Sequence, residues 1–494
     1  MRIIKMKKIF ILTCAMLTLV MSSCSDSWLN VYPATSLTSG NAIESFVDVE
    51  NLLVGAYDGL QGNSGSVAYY GAAFIHYGDV RGEDMQARAP GMRCSPNYEM
   101  SYTALNVPGM WSKGYDVIKR SNNVLEAIAD GFAADGAAAD VNDVKGQALV
   151  IRALAHFDLV RQYGKPYTMP GAPSSFGVPI MNEPHEAGYL PSRNTVEEVY
   201  AAVIADITTA IPLLKTARSN GYINQWAAKA LLARVYLYKG DFNNAYTTAV
   251  DVITNATAYS LWNATEYVAA WATPYGKEML FELVSLSNDD WVDRESIGYL
   301  MGESGYADII LTKDFLDLIL APENDGDVRR GMMENPTLAT MTGEAFWGHP
   351  VFLNKKYPGQ VNGDNRLNNV PVLRLSEIYL IAAEAALLKS SSDQAAANSY
   401  LNAVVSRRNP GKPAVTATLT SILTERRMEL VGEGHRFFDA MRNNLTITRT
   451  SGWQLPLIQD SRSFTRDYYR TILAIPSGEI NANPNISGQQ NPGY

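Results

Sequence analysis

The stretch that begins at Asn224, NQWAAKALLARVYLYKGDFNNAYTTAVDVI, leaves the chain few ways to fold. Ala227, Ala230, Leu231, Val235 and Tyr238 recur at the spacing of one helical face. Gly240 and Asp241 interrupt the pattern, and a second helix carries Ala245, Ala249, Val252 and Ile253. Small residues fall where the two helices must approach, in a unit of about 34 residues that reads as a tetratricopeptide-like pair. A similar pair lies in RLSEIYLIAAEAALLKSSSDQAAANSYLNAVVSRR. There Leu375, Ile378, Tyr379, Ala382, Ala383 and Ala386 form one stripe, Ser390 to Asp393 the turn, and Ala397, Leu401 and Val404 the partner stripe. Weaker patterns pair 47–60 with 110–129 and 143–163 with 195–214. One pair cannot bury its own face, so several must stack. The expected fold is all-α: a tetratricopeptide-like α-solenoid of about four helix pairs with long loop insertions. Residues 24–220 hold the first pairs and 221–494 the rest.

The start of the chain reads as a targeting segment. Arg2, Lys5, Lys7 and Lys8 precede an apolar run, Ile9 to Val20, that is too short to span a bilayer. Ser22, Ser23 and Cys24 follow. That arrangement predicts a lipoprotein signal over residues 1–23, with Cys24 acylated and the chain held at a membrane only by lipid. Cys14 would leave with the signal and Cys24 would carry lipid. Cys94 would then be the one remaining thiol, without a disulfide partner.

The chain carries 41 Lys+Arg against 50 Asp+Glu, a formal net charge of −9. Removing residues 1–23 takes away four more positive charges and no negative ones, which argues against a nucleic-acid partner. Catalytic patterns are missing too. His76, His156, His185, His349 and His435 show no metal-ligand spacing, and there is neither a nucleophile elbow nor a phosphate loop. Glu323, Asp325, Asp327 and Glu334 faintly suggest a calcium loop, but Val328 stands where such a loop needs glycine. The expectation is a binding protein, not an enzyme, with no metal and no cofactor. The charge-dense segment TERRMELVGEGHRFFDAMR, from Thr424, reads as a half-buried helix in which Arg426, Glu429, Glu433, Arg436 and Arg442 sit at ion-pairing intervals.

That segment also carries a resemblance. WSKGYDVIKRSNNVLEAI, GQALVIRALAHFDLVRQYGKPY, RLSEIYLIAAEA, ERRMELVGEGHRFFDAMR and the closing LAIPSGEINANPNISGQQNPGY follow one another in the order found in the SusD/RagB family. The chain is identified as a member of that family from Cys24 to Tyr494. The resemblance implies a surface lipoprotein of the outer membrane. It further implies a TonB-dependent, SusC-like barrel transporter as partner, over which the protein closes as a lid. The cargo it implies is a glycan or, as in RagB-like members, a peptide. A purely protein-binding tetratricopeptide scaffold is the remaining alternative.

The long loops 61–109, 165–194, 258–310 and 320–370 are the natural place for a ligand. Sugar rings stack on aromatic faces while their hydroxyls need fixed polar partners. HYGDVRGEDM, from His76, has that mixture, and the family's glycan-binding loops tend to fall in the corresponding region. The candidate glycan residues are Tyr77, Asp79, Arg81, Asp84, Tyr98 and Tyr102 in that loop, with Trp291, Tyr299 and Trp347 from the later ones.

Overall fold

A computed structural model describes residues 43–62, 69–70, 74–89, 91–107, 109–287, 296–333, 351–450 and 458–494. Eight long helices carry the architecture: α1 (Phe46–Gln61), α2 (Met110–Ala129), α3 (Ala138–Tyr163), α4 (Val196–Ala210), α5 (Gln225–Lys239), α6 (Phe242–Asn255), α7 (Leu375–Leu388) and α8 (Gln394–Arg408). Helix α1 packs on α2, α3 on α4, α5 on α6 and α7 on α8, and neighbouring pairs stack through α2 with α3, α4 with α5, and α6 with α7. These are the four pairs expected from the periodicity.

Local chemistry sets their ends. The Asn224 side chain caps α5 by accepting from the N–H groups of Trp226 and Ala227. Gly240 closes α5 at φ 78°, and Asp241 caps α6 by accepting from Asn244 N–H. Thr195 and Glu198 form a reciprocal capping box on α4. The alanine stripes Ala227, Ala230 and Ala233 of α5 and Ala382, Ala383 and Ala386 of α7 are fully buried, which lets the helix axes close up.

Short strands tie three of the long loops together, and one expectation is corrected. A strand Met85–Ala87 pairs antiparallel with Ile309–Leu311, and Met279–Leu283 pairs with Val370–Arg374. The segment from Thr424 is not one half-buried helix. It forms α9 (Leu419–Leu430) and α10 (Arg436–Arg442), separated by Gly432 and Gly434 at φ 77° and 82°. Every residue from Leu430 to Arg442 is buried. Only Arg426 and Arg442 find a carboxylate within the segment, and both find Asp439. The other partners lie far away in sequence. Glu429 binds Arg329, Arg374 and Arg408, Glu433 binds Lys356 and Arg374, and Arg436 binds Glu83. Buried charges survive when each is paired and hydrogen-bonded, and each of these finds a partner, though among the described residues Arg426 Nη1 and Nη2 have none.

Candidate functional site

Most of the predicted binding residues are inside the protein. Tyr77, Asp79, Arg81, Asp84, Tyr98 and Tyr102 are each at most 2% exposed. Asp79 accepts from the backbone N–H groups of Gly434 (2.7 Å) and Arg436 (3.3 Å), and burial pushes its carboxyl up to about 7. The Arg81 guanidinium lies 3.7 Å over the Phe437 ring and donates to the carbonyl of Thr471. Asp84 takes Arg427 Nε at 3.1 Å on both oxygens. Tyr98 lies under the Arg449 guanidinium at 4.3 Å, and the Tyr102 hydroxyl donates to the Arg470 carbonyl. In this arrangement Asp79, Arg81, Asp84, Tyr98 and Tyr102 fasten the loop after α1 to the C-terminal third, Tyr77 is buried with them, and none of the six presents a face at the surface. The physical reason is that an aromatic beside Asp and Arg satisfies a buried loop as well as it satisfies a sugar. Tyr299 is half-buried and sits edge-on to Tyr306 at 5.0 Å. Cys24, Trp291 and Trp347 lie outside the described residues.

A different set of side chains is brought together at the surface. An open groove of ≈ 310 Å³ lies between the end of α1, the turn before α5 and the end of the Met279–Leu283 strand. Tyr57 forms its floor. Its hydroxyl donates to Gln147 Oε1 (2.6 Å) and accepts from Ile223 N–H (2.9 Å), so the ring is held from both sides. Tyr222 meets it edge-to-face at 5.3 Å, yet Tyr222 itself is 42% exposed. Gly221, at φ 79°, makes this possible. A Cβ there would stand 2.4 Å from Val284 Cγ2, so only glycine lets the turn lie against that side chain.

Tyr275 supplies a second, half-buried ring from a left-handed backbone position at φ 58°. That turn is clamped. Tyr275 N–H donates to Glu282 Oε1, and Arg218 donates to the carbonyls of Tyr275 and Gly276. Burial pushes the Glu282 carboxyl up, while the Asn369 amide, donating at 3.0 Å, works the other way.

Gln61 lines the same groove at the last position of α1. It is 8% exposed, and among the described residues its Nε2 has no hydrogen-bond partner. An orphaned buried amide costs about 1–3 kcal/mol unless something outside the protein accepts from it. Asp58 is a carboxylate of the lining, and it is ion-paired with Arg120 at 2.8 Å. The groove therefore offers ring faces and an amide donor, a set suited to stacking and hydrogen bonding.

Sequence reasoning passed over Tyr222 and Tyr275. The signal was present in SNGYIN and TPYGKE, each an aromatic placed inside a Gly-containing turn.

Residues 27–237 match the family model described as starch-binding associating with outer membrane, and residues 330–494 match the model of the SusD family. A SusD superfamily protein of Bacteroides thetaiotaomicron is 38% identical to this chain. Its structure superposes with a TM-score of 0.83, covering 91% of this chain and all of that one. SusD-like protein P2 of Formosa agariphila is 26% identical, over 99% of this chain and the whole of that protein. A laminarin-binding SusD-like protein, 23% identical, shares the fold at a TM-score of 0.69 over 91% of this chain and 99% of its own.

Proposed function

Because this chain belongs to the SusD family, we propose that it captures a saccharide in the Tyr57–Tyr222–Tyr275 groove and delivers it to a SusC-like TonB-dependent transporter. The observation that carries the reading is the exposed Tyr222 ring beside the orphaned Gln61 amide. A sugar face stacks on the ring, and a sugar hydroxyl accepts from Gln61 Nε2. Tyr57 and Gly221 hold the Tyr222 ring in place before the ligand arrives, so little side-chain entropy is lost on binding. The protein performs no chemistry on the sugar. Among the described residues no helix is long and apolar enough to cross a membrane. We place the protein on the outer membrane, anchored through lipid on Cys24.

Affinity gel electrophoresis of the purified protein against plant, host and microbial polysaccharides tests the reading. We expect retardation on at least one polysaccharide. Tyr222→Ala and Tyr275→Ala should each weaken it about tenfold, the scale of one stacked ring. Retardation that survives both substitutions refutes the groove. The absence of retardation on any polysaccharide, with binding to peptide mixtures instead, refutes the saccharide.

A further inference from the structure

The C-terminal segment places Arg462, Arg466 and Arg470 at four-residue intervals, with Tyr468 and Tyr469 among them. With the turn that follows α3 it encloses a second cleft, of ≈ 150 Å³, lined by Lys165, Met169, Arg466, Tyr468 and Tyr469. This cleft shares no lining residue with the Tyr222 groove. The two lie toward opposite ends of α3, because Gln147 holds Tyr57 near one end and Lys165 follows the other.

Among the described residues, neither cation of the second cleft forms an ion pair: Arg466 makes a hydrogen bond of 3.3 Å to the Thr168 hydroxyl, and Lys165 makes none. Asp467 also lines the cleft, but it is exposed and accepts from Thr465 Oγ1 at 3.3 Å. In a chain with an excess of carboxylates, two half-buried cations left without one stand out. In the same segment Arg470 donates to the Met100 carbonyl, and among the described residues its buried Nε has no partner. Partly exposed Tyr468 and Tyr469 rings stand 5.3 Å apart, edge to face, beside these cations.

Cations next to ring faces match a sugar that carries a negative group. A guanidinium fork takes a carboxylate or sulfate through charge-assisted bonds, and the C–H face of the same sugar packs on tyrosine. We propose that this cleft is a second saccharide site, selective for an anionic substituent, carboxylate or sulfate ester, held by Lys165 and Arg466 with the ring against Tyr468 or Tyr469. The proposal rests on the reading of the chain as a saccharide-binding protein and uses a separate cleft.

Titration calorimetry of the purified protein tests it with three trisaccharides: a trigalacturonate, a sulfated galactan fragment and their neutral counterpart. At least one acidic sugar should bind about tenfold tighter than the neutral one, and Arg466→Gln and Lys165→Gln should each erase about tenfold of that preference. Which acidic arm binds decides between carboxylate and sulfate. Equal affinity for neutral and acidic sugars overturns this proposal while leaving the Tyr222 groove standing. Acidic preference that survives both substitutions also overturns it, as does binding of none of the three, which leaves the Tyr222 groove to the polysaccharide panel. Acidic peptides binding in place of acidic sugars overturn it in favour of a peptide carboxylate. Both side chains are half-exposed and make few contacts, so the variants should unfold at the same urea concentration as the parent.

Discussion

Replacing Glu429 with glutamine tests the account of the buried charge cluster. Oε1 accepts from Arg374 Nη1 (3.0 Å) and Arg408 Nη2 (2.9 Å), while Oε2 accepts from Arg408 Nε (2.9 Å) and Arg329 Nη1 (3.3 Å). Burial works against ionisation, but the Arg408 and Arg374 guanidiniums outweigh it and hold the carboxyl well below the usual carboxylate range. Whichever way the glutamine amide turns, its NH2 faces two guanidinium donors. Two charge-assisted bonds are lost and a buried negative charge is removed from between three arginines. At about 1.5–3 kcal/mol for each bond, and about 3–5 kcal/mol for breaking a buried pair, Glu429→Gln should cost about 3–5 kcal/mol. That is a large share of the 5–15 kcal/mol, roughly, that holds a native protein together. The carboxyl titrates below the ordinary 4.5, so its contribution is whole above pH 4.5 and is lost only as pH falls further.

Urea unfolding at pH 7, followed by circular dichroism, reads the loss as a lower midpoint with an unchanged slope. Glu425→Gln is the control. Glu425 accepts from Arg329 at 2.7 Å, and its carboxyl is pushed up by burial, so a neutral isostere there should cost less than about 2 kcal/mol. A Glu429→Gln variant within about 1 kcal/mol of the parent would refute the reasoning, as would a Glu425→Gln variant that is equally destabilised.

Other expectations follow from single positions. A Cβ on Gly78 would stand 2.0 Å from the Gly434 carbonyl oxygen, backbone against backbone, so Gly78→Ala should cost about 3 kcal/mol or more in urea unfolding. Gly55 in α1 has nothing within 4 Å of such a Cβ, and Gly55→Ala should instead stabilise by up to about 1 kcal/mol; the reverse order of the two would sink the packing argument. His156 Nδ1 lies 3.1 Å from the Arg152 carbonyl and its Nε2 accepts from Met181 N–H, so the neutral ring with the proton on Nδ1 fits, and burial lowers its titration from 6.5 to about 4. Its contribution is therefore whole above pH 6.5 and is lost as pH falls toward 4, which should appear as a pH-dependent difference in urea midpoint between the parent and His156→Gln, and a constant difference would contradict it. Metabolic labelling with palmitate should mark the full chain, and Cys24→Ala should abolish the mark; labelling that persists would exclude this cysteine as the anchor.

The four helix pairs were legible because their signals are local. A stripe such as Ala382, Ala383 and Ala386 recurs within one turn, and Asn224, Gly240 and Asp241 mark helix ends through bonds spanning two to five residues. The break inside the segment from Thr424 was less visible. Gly432 and Gly434 were on the page, but the charge spacing on either side of them suits an unbroken helix equally well.

The binding residues were legible only as a type. Loop tyrosines beside Asp, Asn or Arg were the right kind of side chain, but their exposure was decided elsewhere. The bond from Arg427 to Asp84 spans 343 residues, and that from Arg449 to the Tyr98 carbonyl spans 351. Closures of that length bury residues 76–87 and the Tyr98 and Tyr102 rings, and no window of sequence contains both ends of them. Tyr222 and Tyr275 stay accessible for the converse reason: a glycine and a left-handed turn set each ring at the rim of a groove whose walls come from three distant parts of the chain. Sequence by itself determined the helical scaffold and the family, since periodicity, caps and ordered motifs are short-range patterns. Tertiary structure alone decided which aromatic rings face solvent, because burial depends on how remote segments close over one another.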